Sequence, residues 1–257
     1  MSAAPRRRML ARVAGALGAL ALGAQPARAN KPDRPLRAVA LAIAPYGAID
    51  AEGRKSGLFV EAFELIARGS RRQIEVTVAP YARAIAMLRS GAADLMIATS
   101  NSTVAEAAEP MGMLWSAEII VIARAGIRLD GQGDLRGRTV GTLRGSDYGA
   151  AFLDAREYRK HEITDQVQGM RLLLEGRIDA SIGTRLAIFH AMRQLGVPRS
   201  RFGSSIAVQS REIHLHLGHH SADEALAKEL RHVVQELRSS GRAEALMAKY
   251  LAGLPSG

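Results

Sequence analysis

Side chains able to bind a small polar molecule follow several short apolar runs of this sequence. Tyr46 and Tyr81 each follow a proline, and an aromatic ring on such a loop offers a flat platform for a ligand. Hydroxyl, amide and charged groups occupy comparable positions further along the chain. We predict a ligand-binding set made up of Tyr46, Tyr81, Thr99, Ser100, Asn101, Trp115, Arg144, Ser146, Asp147 and Thr184.

Each of these residues also has a structural alternative. The tyrosines could pack a surface, and Trp115, the only tryptophan, has the properties of a core residue. Thr99 to Asn101 could serve as turn and cap residues. Arg144 could be a solvated charge, or it could add a forked donor beside Ser146, where the N–H groups of a helix start would hold an anionic oxygen.

Histidines raise a metal hypothesis. His214 and His216 are two residues apart, so on a strand they share a face, and imidazole binds zinc or copper; His219 and His220 follow. Because the only nearby carboxylate is Glu212, we favour a structural role and predict neither a metal nor a cofactor. No nucleophile–base pair, HExxH, G-x-S-x-G or phosphate loop is present, so we predict no enzymatic activity.

The first 29 residues have the composition of a cleavable signal peptide. Arginines at 6, 7, 8 and 12 lead into the apolar run 13–24, and the small-residue site Ala27-Arg28-Ala29 follows it. The run is shorter than the ~20 residues of a spanning helix. The order Arg6-Arg7-Arg8-Met9-Leu10 resembles a twin-arginine signal, so general secretion and twin-arginine export both stay open. We predict a periplasmic mature chain that starts at Asn30.

Charge and cysteine content narrow the class of protein further. The net charge is +10, and five of the arginines lie in the signal segment, which leaves +5 for the mature chain. No basic run contains stacking aromatics, so we predict no nucleic-acid partner. The chain has no cysteine, which excludes thiolate catalysis and disulfides. No later segment is apolar for long enough to span a membrane, so we expect a soluble monomer.

Apolar runs and amphipathic segments alternate from residue 36, which predicts βα units around mainly parallel sheets. The predicted strands cover 36–43, 74–79, 94–98, 139–142 and 178–182. The predicted helices cover 58–69, 82–90, 147–156, 166–175, 184–195, 222–239 and 242–251. Ser221 and Glu224 form a predicted capping box at the start of 222–239.

Two strand-like segments, 116–123 and 212–217, interrupt this alternation and are predicted to cross between two lobes. The predicted fold is α/β with two βα lobes. Lobe 1 comprises 30–118 and 218–257, lobe 2 comprises 124–212, and the hinge crossings are 119–123 and 213–217.

The order of motifs resembles the bacterial extracellular solute-binding proteins of family 3, the polar amino-acid-binding components of ABC transporters. The resemblance covers most of residues 36–251 and implies the type II periplasmic-binding-protein fold. It also implies structural roles for Glu61, Asp94 and Asp179. Its carriers are Ala44-Pro45-Tyr46, Gly57-Leu-Phe-Val-Glu61, Leu88-Arg-Ser-Gly-Ala-Ala-Asp94, Leu135-Arg-Gly-Arg-Thr-Val-Gly141 with Gly145-Ser146, Leu174-Glu-Gly-Arg-Ile-Asp-Ala180 and Lys249-Tyr250.

The sequence departs from that family at two charge anchors. Members that bind α-amino acids carry an arginine in a T-x-x-R arrangement, where this chain has Thr103-Val-Ala-Glu106. They also carry an aspartate that accepts from the ligand ammonium group, where this chain has Thr184. The resemblance therefore implies a receptor for a small polar or anionic solute other than an ordinary α-amino acid.

We predict a periplasmic solute-binding protein that serves an inner-membrane permease of the ABC type. Two alternatives remain open. A sensory module would present the bound ligand to a membrane partner, and a dehydratase-like enzyme on the same fold would use Glu106, Asp147 or a histidine for acid–base chemistry.

Overall fold

The computed structural model describes residues 34–146, 148, 152, 157–252 and 254. The predicted signal peptide and most of the predicted helix 147–156 lie outside the described residues, and so does Asp147. Each lobe of the fold has its own group of parallel strands, and two long strands join them.

The described strands closely follow the predicted ones, with additions. They are β1 Leu36–Leu41, β2 Ala48–Ile49, β3 Lys55–Ser56, β4 Ile74–Ala79, β5 Leu95–Thr99, β6 Ala108–Arg124, β7 Thr139–Leu143, β8 Arg159–Ile163, β9 Ala180–Thr184 and β10 Phe202–Gly218. Eight of them form one sheet in the order β4-β1-β5-β10-β6-β9-β7-β8, and β2 pairs with β3 in a separate hairpin.

The sheet divides into two parallel groups joined by an antiparallel pair. β1 runs parallel to β4 and β5, and β7 runs parallel to β8 and β9. Between these groups β6 and β10 pair antiparallel along almost their whole length, from Phe202 opposite Arg124 to Gly218 opposite Ala108. The predicted crossings are confirmed as strands and are longer than predicted, since each has 17 residues.

The helices pack on this sheet between the strands. They are α1 Leu58–Ser70, α2 Tyr81–Arg89, α3 Ser102–Ala105, α4 Gln166–Leu174, α5 Arg185–Gln194, α6 Glu224–Ser239 and α7 Arg242–Leu251. In α1 and α6 the apolar residues recur on one face, which is buried, while charged residues occupy the other face.

The buried side chains form two separate apolar clusters. The first draws on β1, α1, β5, the first part of β6, the end of β10 and α6, with Leu186 and Ala187 of α5 added. The second draws on the rest of β6, on β7, on α4 and β9, and on the remainder of α5. Burial of these apolar faces is the main stabilising contribution to each cluster. The residue limits of the lobes remain a prediction.

The predicted capping box at the start of the last long helix is wrong. Helix α6 begins at Glu224, where the carboxylate of Asp223 accepts from the Ala225 amide at 2.9 Å. The Ser221 hydroxyl instead donates to the carboxylate of Asp94. Ser221 therefore binds a buried carboxylate and leaves the capping to the residue directly before the helix.

Candidate functional site

A cavity of about 100 Å³ lies at the carboxyl ends of β1, β5, β7 and β9, where the two apolar clusters meet. Ligand sites of open α/β sheets occur at this edge of the strands. We name it the Tyr46 cavity. It is lined by Leu41, Ile43, Tyr46, Phe59, Tyr81, Ala98, Thr99, Asn101, Ile119, Ser146, Tyr148, Thr184, Arg211 and Ile213.

The structure brings six of the predicted ligand-binding residues together in this wall. They come from both halves of the fold and from segments separated by more than a hundred residues. They are Tyr46, Tyr81, Thr99, Asn101, Ser146 and Thr184.

The start of α1 fixes the position of Tyr46. The amides of Leu58 and Phe59 donate to the carbonyl oxygens of Pro45 and Tyr46, at 2.9 and 2.8 Å. Gly57 precedes them with φ at +121°, and a Cβ at this position would lie 2.6 Å from the Tyr46 carbonyl oxygen. Glycine tolerates both this dihedral angle and this close approach. The aromatic loop is therefore bound tightly against the helix start.

A hydrogen bond joins Tyr46 to the opposite lobe. The Tyr46 hydroxyl donates to Oγ1 of Thr184 at 2.8 Å. Thr184 is the last residue of β9 and caps α5, where its Oγ1 also accepts from the Ala187 amide at 3.2 Å. Burial raises the pKa of Tyr46 to about 12, so the phenol stays protonated at neutral pH and remains a donor.

Tyr81 and Asn101 form the lobe 1 side of the cavity. Nδ2 of Asn101 donates to the Tyr81 hydroxyl at 3.0 Å, while Oδ1 of Asn101 caps α3 by accepting from the Val104 amide at 2.9 Å. Asn101 thus acts both as a helix cap and as a cavity residue, so both readings of its sequence position apply.

Ser100 lies beside the cavity wall and does not line it. Its Oγ is 3.1 Å from Nε2 of His216, and its carbonyl oxygen accepts from Arg211 at 3.0 Å. Burial, followed by the charge of His214, lowers the pKa of His216 to about 4, so this imidazole is neutral at pH 7. The 99–101 loop is therefore held by two side chains of β10.

On the lobe 2 side, Ser146 and Tyr148 contribute to the wall. The Ser146 amide donates to the Leu143 carbonyl at 3.0 Å, and the Tyr148 hydroxyl donates to the Ile182 carbonyl at 3.3 Å. Burial raises the pKa of Tyr148 to about 12, so its hydroxyl is also protonated at neutral pH.

Two other predicted residues do not line the cavity. Trp115 is buried, its Nε1 donates to the Ala243 carbonyl at 2.8 Å, and its ring stacks on Phe59 with centroids 6.4 Å apart. Arg144 is exposed and pairs with Glu162 at 2.9 Å. Trp115 therefore packs against Phe59, which does line the cavity. The Arg144 side chain is held in its ion pair with Glu162 at the edge of the sheet.

Sequence reasoning missed three polar or aromatic lining residues. Arg211 lies in β10, Phe59 lies in the first turn of α1, and Tyr148 lies two residues after Ser146. Arg211 and Phe59 were missed because the prediction considered only residues that directly follow parallel strands, and neither residue does. The position of Arg211 next to a predicted crossing was the available signal, because both crossings pass the cleft.

The acidic and histidine candidates lie elsewhere. Glu106 is exposed and pairs with Arg89 at 2.6 Å. Nε2 of His214 is 2.9 Å from Glu212, and Nε2 of His219 is 3.1 Å from the Ala105 carbonyl oxygen. Across the described residues, no group of three or more histidine, cysteine, aspartate or glutamate side chains is placed to hold a metal ion.

A larger groove of about 520 Å³ lies between β6 and the last two helices, and Met111, Met113 and Val234 are among the residues that line it. It is a surface depression away from the carboxyl ends of the strands. The Tyr46 cavity is smaller, but strand ends and residues of both apolar clusters form its wall.

Within the part of the chain that the structure describes, no helix has the length and apolarity needed to span a membrane. The sequence model of the bacterial extracellular solute-binding proteins, family 3, matches residues 37–253. None of the curated proteins matches the sequence significantly.

Solved structures share the fold. A histidine kinase sensor domain with similarity to periplasmic binding proteins is 20% identical, with a TM-score of 0.72 over 86% of this chain and 97% of that one. The second substrate-binding domain of a putative amino acid ABC transporter from Streptococcus pneumoniae is 20% identical, with a TM-score of 0.60 over 85% and 100%. An ancestral amino acid-binding protein, a precursor of cyclohexadienyl dehydratase, is 14% identical, with a TM-score of 0.70 over 84% and 94%. The predicted two-lobed, type II periplasmic-binding-protein fold is confirmed.

Proposed function

This chain belongs to the bacterial extracellular solute-binding proteins of family 3, and we propose that it binds a small polar or anionic solute in the Tyr46 cavity without converting it. The supporting observation is the cavity itself, whose wall combines hydroxyls, an amide and a guanidinium from both sides of the fold. A few oriented polar groups in an otherwise apolar wall are typical of small-molecule sites.

The two crossing strands supply the hinge of this proposal. β6 and β10 run through both lobes, so rotation near their midpoints would open the cavity and separate Leu186 and Ala187 from the first apolar cluster, while leaving the rest of both clusters intact. A ligand that contacts both lobes has more contacts in the closed form and so stabilises that form. The Tyr46–Thr184 hydrogen bond is one such contact across the cleft.

Family membership supports a cellular location and a class of partner protein for this proposal. The family acts outside the cytoplasm, binds small solutes and works with ABC permeases or sensor kinases. We place this chain in the periplasm as a monomer, exported by residues 1–29, and assign it an ABC-type permease as partner.

The proposal is tested on protein freed of co-purified ligand by unfolding and refolding. Thermal unfolding is measured with a panel of carboxylates, amino acids, sugars, phosphates and polyamines, and each hit is titrated by calorimetry. A ligand at 100 times its Kd should stabilise the protein by about 2.7 kcal/mol.

The matched variants are Tyr81→Phe, which removes a hydroxyl from the cavity wall, and Tyr250→Phe, whose hydroxyl bonds Glu61 outside the cavity. We expect weaker binding only in Tyr81→Phe. If no member of the panel stabilises folded, ligand-free protein, the proposal fails.

A further inference from the structure

Two histidines of β10 lie outside the wall of the Tyr46 cavity, and the proposed function does not use them. The sequence favours a structural role for both, because it offers a single carboxylate nearby. The structure adds a methionine opposite each of them. We propose that His214 and His216, together with Met96 and Met113, form a binding site for Cu(I). We name it the His–Met site, and it is independent of the proposed solute.

Each of the two imidazoles has one ring nitrogen engaged and one without a partner. Nε2 of His214 is 2.9 Å from a carboxylate oxygen of Glu212, and Nε2 of His216 is 3.1 Å from Oγ of Ser100. Both Nδ1 atoms are buried and have no hydrogen-bond partner among the described residues. Buried polar atoms without a partner are uncommon in folded proteins. Two of them on neighbouring rings therefore point to a shared ligand.

The engaged nitrogens have the surroundings that metal-bound histidines have. In such sites the nitrogen away from the metal donates to a carboxylate or another oxygen, which leaves the lone pair of the other nitrogen for the metal. Glu212 and the Ser100 hydroxyl are placed to accept in this way. Metal–nitrogen bonds of about 2 Å put two ring nitrogens on one ion within about 4 Å of each other. The ring centroids are 6.0 Å apart, so one ion can reach both rings.

The two methionines lie on the strands that flank β10. Met96 of β5 is the register partner of His216, and Met113 of β6 is the partner of His214. Both strand pairs are antiparallel, and residues directly opposite each other project from the same face with Cβ atoms about 5 Å apart. A register shift just before His214 places Met113 opposite it instead of Leu114. Each imidazole therefore has a thioether as its cross-strand neighbour.

The donor set selects the metal ion. Thioether sulfur is a soft ligand that favours Cu(I), and imidazole also suits copper. Zinc sites are completed by histidine, cysteine, aspartate or glutamate. The described residues place no group of three such side chains to hold an ion. His216 and Met96 are almost fully buried, whereas 17% of the His214 side chain is exposed, which gives the ion a route to the site.

A purely structural role for the histidines is the rival interpretation. Burial lowers the pKa of His216 to about 4, while the backbone carbonyl groups of His214 and Met96 act in the opposite direction. In the rival arrangement Nδ1 of His216 carries the ring proton toward these carbonyl groups, and both rings only pack the sheet. Such rings would bind copper no more tightly than exposed histidines do, so the affinity and the ligand atoms separate the two roles.

A competition titration tests the proposal. Purified protein stripped of metal by a chelator is titrated with Cu(I), under reductant, against the coloured Cu(I) chelator bicinchoninate. We expect one equivalent of Cu(I) per chain, and a tenfold excess of Zn(II) should not displace it. X-ray absorption at the copper edge should show both nitrogen and sulfur neighbours.

Methionine variants assign the sulfur ligands. Met96→Leu and Met113→Leu nearly keep the side-chain volume and remove the sulfur. Each should weaken Cu(I) binding about tenfold or more, and the double variant should lose the sulfur signal in X-ray absorption. Met247→Leu, in α7 and outside the site, is the matched control and should bind as wild type.

Histidine variants assign the nitrogen ligands. His214→Gln changes the partly exposed ring, so the fold should survive, and it should weaken Cu(I) binding at least about 100-fold. Glu212→Gln, which acts on the ion only through His214, should cost about tenfold. The control is His219→Gln combined with His220→Gln, two exposed histidines that follow β10, and it should keep the wild-type affinity.

Three results would overturn the proposal. They are no binding of Cu(I) in competition with bicinchoninate, copper without sulfur neighbours in wild type, and unchanged affinity in His214→Gln that is folded by circular dichroism. Loss of binding in the variant of His219 and His220 would assign the copper to the surface and would overturn it as well. None of these results bears on the solute of the Tyr46 cavity, which its own ligand panel tests.

Discussion

The two ends of β5 hold buried polar groups in opposite ways. Asp94 directly precedes the strand, and its carboxylate accepts from both Arg34 and Arg37, from the Arg37 amide and from Ser221. We call these four residues the Asp94 cluster. At the other end of the strand, Thr99 lines the Tyr46 cavity. The other polar groups of the described wall are neutral hydroxyls, the amide of Asn101 and the guanidinium of Arg211.

The difference assigns a stabilising role to the Asp94 end of β5 and a ligand-binding role to the Thr99 end. The Asp94 cluster neutralises its charge within the protein, and its hydrogen bonds hold the pKa of Asp94 well below the usual range. Such a cluster supports the fold and offers nothing to a ligand. The cavity end exposes donors to an enclosed space, so substitutions there should change affinity more than stability.

The largest effect should come from Asp94→Asn. The substitution leaves Arg34 and Arg37 without a counter-ion, and we expect the free energy of unfolding to fall by about 2–4 kcal/mol. This is below the loss for a fully buried pair, because both arginines are about half exposed. Urea unfolding measures the loss, with Asp50→Asn at an exposed ion pair as the control. An equal loss in both variants would contradict the comparison.

The second effect is a dependence of stability on pH at His216. Its pKa is lowered to about 4 in the folded protein, against ~6.5 when unfolded, so the unfolded chain binds the proton more readily. Stability should be full above pH ~6.5 and fall by roughly 1–2 kcal/mol on going to pH ~5. His214 and Glu212 are further ionisable groups close to His216, so the variant is needed to assign the effect.

His216→Gln places a neutral amide beside Ser100 instead of the imidazole and so removes the titrating group. Urea unfolding at pH ~7.5 and ~5 should show a smaller difference for this variant than for wild type. Exposed His232→Gln serves as the matched control and should behave as wild type. An unchanged pH dependence in His216→Gln would rule out this assignment.

A smaller effect should come from the bond across the cleft. Tyr46→Phe and Thr184→Val each remove one partner, and a double-mutant cycle should give a coupling energy of about 1 kcal/mol in thermal unfolding. Tyr46 and Ser146 in a matched cycle should show no coupling, because no hydrogen bond between them is present among the described contacts. Additive effects of Tyr46→Phe and Thr184→Val would mean that the lobes are not joined there in solution.

The smallest effect should come from Glu106→Gln. Glu106 is exposed and pairs with Arg89, so we expect a change in stability within ~0.5 kcal/mol and no change in ligand affinity. Product analysis of the bound ligand is the accompanying measurement. Turnover in wild type that disappears in Glu106→Gln would favour the dehydratase alternative over binding alone.

Much of the fold could be predicted from the sequence. Residues 74–79 and 242–251 have the predicted limits, and both crossings are strands, because apolar periodicity and bounding glycines carry that information locally. Strand β8, with the sequence Arg-Lys-His-Glu-Ile, was missed because four of its five residues are polar and exposed at the sheet edge. The Ser221 cap failed because a distant carboxylate competes for its hydroxyl.

The candidate site was predictable where it follows strand ends. Tyr46 and Thr99 meet because they follow or end the parallel strands β1 and β5, and Thr184 faces them because β9, beyond β10 and β6, runs in the opposite direction. Arg144 lies at such an end too, but its side chain pairs with Glu162 of β8, which the sequence did not reveal as a strand. Arg211 reaches the cavity from an antiparallel strand, and only the tertiary structure shows which way it points.

The most direct measurement compares a filled cavity with an open one. Ala98 is buried in the cavity wall, so Ala98→Leu should occupy much of the space, while Ala86→Leu adds the same atoms on the exposed face of α2. Calorimetric titration with the tightest-binding solute of the panel should give saturable one-to-one binding in wild type and in Ala86→Leu, and none in Ala98→Leu that is folded by circular dichroism. Undiminished binding in folded Ala98→Leu would show that the solute binds somewhere other than the Tyr46 cavity.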